Sequence, residues 1–213
     1  HGLEALANPV NLSLGLAVLF LARVLGLMYL ANSIDEDDLI SRIKKALARN
    51  SIPFLVFFLS FVAFLVFGKG YMADSATGEV SLVKQHYLHL LLSHIGIMTL
   101  FTAGVILVLI SLYQGIFLNL NKAIWYAGFG TVAVVMALFF LAGYGDSSFY
   151  PSSTDLQSSL TLVKASSSHF TLRTMFYVSF IIPFVLVYIW IAWRSLNRNK
   201  ITAEEMTDGE HLY

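Results

Sequence analysis

Residues Ala123 to Tyr144 read AIWYAGFGTVAVVMALFFLAGY, without a single charged side chain. The hydrocarbon core of a bilayer is about 30 Å thick and takes about 20 apolar residues to cross as a helix. Inside lipid every backbone N–H and C=O must be bonded within the spanning segment, which a helix achieves by itself. This stretch therefore reads as a transmembrane helix. Four other runs have the same character, and the expected spans are 9–30, 52–72, 87–112, 123–144 and 172–193. The second has its apolar centre at Ile52 to Phe67, with Gly68 to Met72 extending it. No strand pattern competes. The sequence predicts an all-α polytopic membrane protein, one membrane domain over residues 1–213 with five transmembrane helices.

Composition agrees. Of 213 residues, 57% are hydrophobic and 12% charged, and the mean hydropathy is +0.74. Soluble domains are nearer half apolar and a quarter charged. Thirteen basic and thirteen acidic residues cancel. This balance, with no basic patch, argues against a nucleic-acid partner, and none is expected. There is no cysteine, which removes disulfide frameworks, thiolate zinc sites, iron–sulfur clusters and covalently attached haem. No basic n-region precedes the first span, so no signal peptide is read there. With His1 in place of an initiator methionine, the chain is expected to be a fragment or a processed product.

Basic residues in short loops set orientation. Arg42, Lys44, Lys45, Arg49, Lys122, Arg194, Arg198 and Lys200 fall on one side, against Lys69, Lys84, Lys164 and Arg173 on the other. The first side, which includes the tail 194–213, is expected to be cytoplasmic, with residue 1 outside. Asn8 and Pro9 suit the start of the first span. Ser33 and Glu36 read as a capping box. Asp35 to Asp38 then precede Arg42 to Arg49 in the order a helix dipole favours. Residues 33–50 are accordingly expected to form a separate amphipathic connector at the cytoplasmic surface, its basic end facing anionic headgroups or plain solvent.

Close helix packing in lipid needs small residues. Gly15, Ala22 and Gly26 share a stripe of the first span. Ser93, Gly96, Leu100, Ala103 and Gly104 share one of the third, and the fourth offers Gly130, Ala133 and Ala137. Gly15, Ala22, Gly26, Gly96 and Ala103 are the expected bundle contacts. The Phe54, Phe57, Phe58, Phe61 and Phe64 face of the second span is expected to meet lipid or a partner helix. Pro183 predicts a kink in the fifth span, and Trp190 and Trp193 suit an interfacial belt.

All thirteen carboxylates lie outside the spans or at their edges. Proton- and ion-coupled transporters keep such groups near the midplane, so a free-standing pump is disfavoured. Arg23 and His94 do enter the apolar region and are the two candidate residues for a quinone or lipid contact. Arg23 is long enough to snorkel to the cytoplasmic side, or it contacts a partner subunit, a lipid phosphate or a quinone head. His86, His89 and His94 cannot share one helical face, so no three-histidine metal site is expected. His94 alone could ligate a haem, but a lone histidine on an apolar helix is more often bonded to its neighbour. No phosphate-binding loop, zinc helix or nucleophile elbow is present, so no catalytic residue and no metal ligand is assigned.

The most distinctive text is Tyr150-Pro151-Ser152-Ser153-Thr154, Ser159-Leu160-Thr161, Ala165 to Ser168, Thr171-Leu172, Met175, Pro183 and Trp190. The tail continues Lys200-Ile201-Thr202 and ends His211-Leu212-Tyr213, and near the start Asn8-Pro9 precedes Leu14-Gly15-Leu16. Together these resemble the C-terminal part of subunit II of cytochrome bd quinol oxidase, transmembrane helices five to nine. The resemblance implies a four-helix bundle plus one peripheral helix, with the family's first four helices absent from this sequence. It implies a non-haem subunit of a heterodimeric terminal oxidase that passes electrons from membrane quinol to oxygen. The chain would scaffold the haem-bearing subunit I and not be catalytic alone. Haem b and haem d would lie in that partner. A structural quinone and a small single-helix accessory subunit are further implied partners, and the location would be the bacterial inner membrane. The competing reading is a small transporter or channel unrelated to respiration.

Overall fold

The computed structural model describes residues 7–34, 36–74, 77, 79–118, 122–143, 147–152 and 155–196. Asp35, Tyr144, Ser153 and Thr154, and the tail from residue 197 with Arg198, Lys200 and the terminal His211-Leu212-Tyr213, lie outside these.

The first helix, α1 (Pro9–Ser33), begins where expected. Asn8 is extended and its side chain accepts from the Val10 N–H at 2.9 Å, with Pro9 at the first helical position. The next element departs from expectation. Ser33 does not cap a separate connector: it is the last residue of α1, and its hydroxyl donates to Tyr29 O at 3.0 Å. Glu36 is the next N-cap and makes no side-chain capping bond. From there one helix, α2 (Asp37–Phe67), runs unbroken for 31 residues through Pro53. Proline inside a helix costs about 3 kcal/mol, through its missing N–H and the clash of its ring one turn back. A continuous buried face offsets that cost. Ile43, Leu47, Asn50, Phe54 and Phe61 recur at helical spacing on both sides of Pro53. The phenylalanine face thus turns partly inward, with Phe54 and Phe61 buried and Phe57 stacked on Phe20 of α1.

Gly68 to Met72 do not extend the span. Gly68 ends α2 through its N–H to Phe64 O, and the chain becomes an antiparallel hairpin of β1 (Lys69–Ala73) and β2 (Val80–Lys84). Gly70 is required there, because a Cβ would lie 2.6 Å from His86 Cβ. The expected third span is divided at His94 into α3 (His86–Ser93) and α4 (Ile95–Phe117). His94 leaves helical geometry (φ −111°, ψ 86°), while its carbonyl accepts from Ile97 and Met98 to start the second piece. Helix α5 (Ala123–Gly143) follows the expected fourth span.

Between α5 and the last span lie β3 (Ser148–Tyr150), a 3₁₀ turn at Leu156–Ser158, β4 (Leu160–Thr161) paired with β3, and the short α6 (Leu162–Ala165). The last span is two helices, α7 (His169–Ser179) and α8 (Ile182–Leu196). Pro183 sits at the second position of α8, and the break comes just before it. Phe180 and Ile181 there turn with bonds to residues three back, as expected where proline cannot donate one turn back.

Helices α1 and α2 pack as one antiparallel hairpin and α4 and α5 as another. Contacts of α1 with α5 and of α2 with α4 close a four-helix bundle. The α7–α8 span stands outside it with almost every residue exposed. It meets the bundle through a tilted ring pair, Trp193 on Tyr29 at 5.7 Å. Among the described residues five helical spans, α7 and α8 together making the fifth, are long and apolar enough to cross a membrane, so the protein is an all-α polytopic membrane protein with one span peripheral to the bundle.

The expected small-residue contacts are corrected. Gly15, Ala22, Gly26, Gly96 and Ala103 are all exposed, and nothing lies within 4 Å of a Cβ built at any of those three glycines. The buried face of α1 is Ser13, Ala17, Val24, Met28 and Ala31, on the opposite side at 100° per residue. The close approach is at Gly104 and Gly130. A Cβ on Gly130 would lie 2.8 Å from Gly104 O, and one on Gly104 would lie 2.9 Å from Gly130 O.

Candidate functional site

The bundle is packed at its two ends and open between them. At one end Val24, Met28, Leu47, Leu112 and Ala127 form a buried cluster. At the other, Ile97, Ala137 and Leu141 are buried beneath Leu65, Leu91 and Phe101. Between the clusters is a cavity of about 290 Å³ with walls from all four helices. Leu14, Ala17 and Leu21 of α1 and Phe54 and Phe58 of α2 face Val105 and Val108 of α4 and Val134 and Leu138 of α5. One polar side chain lines it, Thr131. Its hydroxyl is buried and has no hydrogen-bond partner among the described residues. That is unusual in this bundle. Ser51, Ser60, Thr102 and Ser111 each return their hydroxyl to a carbonyl three or four residues back. A buried hydroxyl without a partner costs about 1–3 kcal/mol; this one is screened from the cavity by apolar neighbours, so a ligand would have to displace them to reach it. The walls hold no histidine, methionine or cysteine and so offer a haem no axial ligand.

Neither candidate from the sequence lines this cavity. Arg23 lies on the exposed side of α1, about 15 Å along the axis from the helix end at Ser33. His94 is half-buried at the α3–α4 break, near the opposite end of the bundle, with Nδ1 3.1 Å from Leu90 O. The fold does not bring the two together. Among the described residues there is no group of three His, Asp or Glu side chains placed to hold a metal.

Sequence reasoning also missed a polar cap beyond that second end. The β1–β2 hairpin and the β3–β4 segment join through the Met72–Ser147 bridge. Below it, buried His86 Nε2 is 2.8 Å from Ser147 Oγ. Gln157 clamps the hairpin from the other side: its Oε1 accepts from Val80 N–H at 3.0 Å and its Nε2 donates to Val80 O at 3.1 Å. Asp155 holds the turn that presents Gln157. It accepts from the Ser158 hydroxyl at 2.7 Å and from the Gln157 N–H at 3.2 Å. These bonds, the Ser158 one foremost, hold its carboxyl below the usual carboxylate range. The serine-rich text between α5 and the last span thus supplies part of the bonding of this cap. Spacing alone could not have paired residues 77 positions apart.

The family model described as cytochrome bd terminal oxidase subunit II matches residues 2–196. A search of curated proteins gave no match.

Proposed function

The chain belongs to the cytochrome bd terminal oxidase subunit II family, and from that premise we propose that it is the non-haem scaffold subunit of a quinol-oxidising bd complex. The family belongs to a terminal oxidase complex of the respiratory chain, an oxidoreductase that includes another subunit, and this member is a multi-pass membrane protein. In our reading the partner is the haem-bearing subunit I, which carries haem b and haem d and oxidises membrane quinol at the expense of oxygen. This chain supplies surface and not redox groups. Its five spans correspond to the second half of the subunit. The membrane is the bacterial inner membrane, with the α1–α2 turn on the cytoplasmic side and residue 1 outside, as the basic residues of the loops favour. A small single-helix accessory subunit completes the set of expected partners.

The observation that supports scaffolding most is the α7–α8 span. It is apolar on all sides, tied to its own bundle through the Tyr29–Trp193 contact, and exposed elsewhere. A helix tethered at one end has no orientation of its own, and a partner helix supplies it. Photo-crosslinkers at Phe176 and Phe184 test this in the intact complex. The expected adduct is with subunit I. Adducts with lipid alone at both positions would contradict the assignment of this span to the partner.

The cavity suits a structural quinone. Its walls are apolar and its single hydroxyl, Thr131 Oγ1, would donate to a ring carbonyl that displaces the apolar neighbours screening it. Thr131→Val removes that donor at nearly constant volume. The complex is expected to lose quinone during purification and to keep its haem content. Unchanged quinone in the variant would count against the site.

A further inference from the structure

The continuity of α2 creates a surface that a separate connector would not have. Arg42, Lys45, Arg49, Ile52, Val56 and Leu59 follow one another at steps of three and four residues, so they form one stripe along the helix. All six are exposed. The stripe is basic over its first two turns and apolar over the next two. On the other side of the helix, Ile43, Leu47, Asn50, Phe54 and Phe61 are buried, so the stripe faces away from the bundle. At 1.5 Å per residue the 31 residues of α2 run about 46 Å. That exceeds the ~30 Å of hydrocarbon by several turns.

The level of the headgroups is marked independently. Tyr29 and Trp193 pack together at this end of the bundle, and Arg194 lies over the Trp190 ring at 5.4 Å. Aromatic and basic residues gather at the headgroup level. Tyr29 is about 6 Å from the end of α1, and Arg42 and Lys45 are about 7 and 12 Å from the start of α2. The two helices are antiparallel neighbours joined by a short turn, so Arg42 and Lys45 stand near the aromatic belt. Arg49, one turn deeper, reaches the same level by snorkelling. Of the acidic residues at the start of α2, Glu36, Asp37 and Asp38, it is Asp38 that stands one turn before a residue of the stripe, Arg42.

We propose that this face of α2 is a binding site for an anionic phospholipid of the leaflet at the α1–α2 turn. Arg42, Lys45 and Arg49 hold the phosphate, and one acyl chain lies along Ile52, Val56 and Leu59. The order of the stripe, charge and then hydrocarbon, is the order of the lipid itself. Leu59 also belongs to the cavity wall, while Arg42, Lys45, Arg49, Ile52 and Val56 lie outside it, so the phosphate end of this site is separate from the cavity.

The test uses the complex purified through this chain in mild detergent. It is titrated with phosphatidylglycerol or with phosphatidylcholine of the same acyl chains, and retained lipid is counted by native mass spectrometry. The wild type is expected to prefer phosphatidylglycerol. Each basic residue near a membrane surface adds about fivefold to anionic-lipid affinity. The R42Q/K45Q/R49Q variant should therefore lose on the order of a hundredfold. A variant carrying Arg42→Lys and Arg49→Lys, which keeps the charge, should retain the preference. Inorganic phosphate should fail to displace the lipid, because it has no chain to place on the apolar half. Equal retention of the two lipids by the wild type would overturn the proposal, as would displacement by phosphate. So would a triple variant that sheds a protein subunit while its phosphatidylglycerol retention is unchanged, since the stripe would then be a subunit contact.

Discussion

Gly104 and Gly130 differ from Gly15, Gly26 and Gly96 in the one respect that the sequence hides. Both sets lie in apolar spans. The first pair lets the α4 and α5 backbones meet, with each glycine's missing Cβ replaced by the other helix's carbonyl oxygen. The second set faces open space. Small residues permit close packing but do not select the face on which it happens. In α5 the selection comes from a full stripe of modest side chains, Ala123, Ala127, Gly130, Val134 and Ala137, all buried. In α1 the buried face mixes Ser13, Ala17 and Ala31 with Val24 and Met28, and it is Gly15, Ala22 and Gly26 that are turned outward.

The sharpest way to break this contrast is Gly130→Ala. The new methyl meets backbone oxygen, which cannot rotate away, so destabilisation of about 1–3 kcal/mol is expected. Gly130→Leu should cost more and reduce the assembled complex. Thermal unfolding in detergent reads both, and an unchanged melting temperature would remove the crossing from the fold. A polar contact gives the next effect. Ser147→Ala deletes a bond to the buried His86 and should cost about 1–2 kcal/mol. The loss should be confined to the cap, with hydrogen exchange rising in β1 and β2 but not in α4. Gly26→Leu should change stability by no more than about 0.5 kcal/mol. The small-residue stripe had suggested the opposite, and a substantial loss of assembly would reinstate Gly26 as a contact with another chain. The smallest effect is at Asp155. Its carboxyl ionises more readily than an ordinary one, near 3.9, because the folded turn bonds the charged form. The turn's support is therefore present above that ordinary value and is lost as pH falls through the lower folded value. Exchange at the Gln157 amide should step up on acidification below ~4 in the wild type. Asp155→Ala should show the faster rate already at neutral pH.

How much of this was legible follows from what each signal depends on. The existence of five spans depends on hydropathy alone, and all five are present. The bounds of α5 were readable because Asn121 and Lys122 before it and Gly145 and Asp146 after it flank an unbroken apolar run in the sequence. Those of α2 were not. The charges from Asp37 to Arg49 looked like a connector, yet the buried face from Ile43 through Leu47 and Phe54 carries one helix on past Arg49 and through Pro53. The break at His94 was equally hidden, since nothing in Ser93-His94-Ile95 forbids a helix. The cavity could not be read at all. It is a distance between two hairpins, fixed by the clusters at either end and by the Gly104–Gly130 approach. Arg23 and His94 stood out because they are ionisable, while the position with an unmet hydrogen bond was an ordinary threonine.

The reading as a haem-free oxidase subunit is tested most directly by the reduced-minus-oxidised absorbance spectrum of material purified through this chain from native membranes. Haem b and haem d bands are expected together with a larger co-purifying subunit. When that subunit is deleted, the chain should be recovered without any haem band. Haem retained by the chain alone, or a colourless preparation of the intact complex, would contradict it.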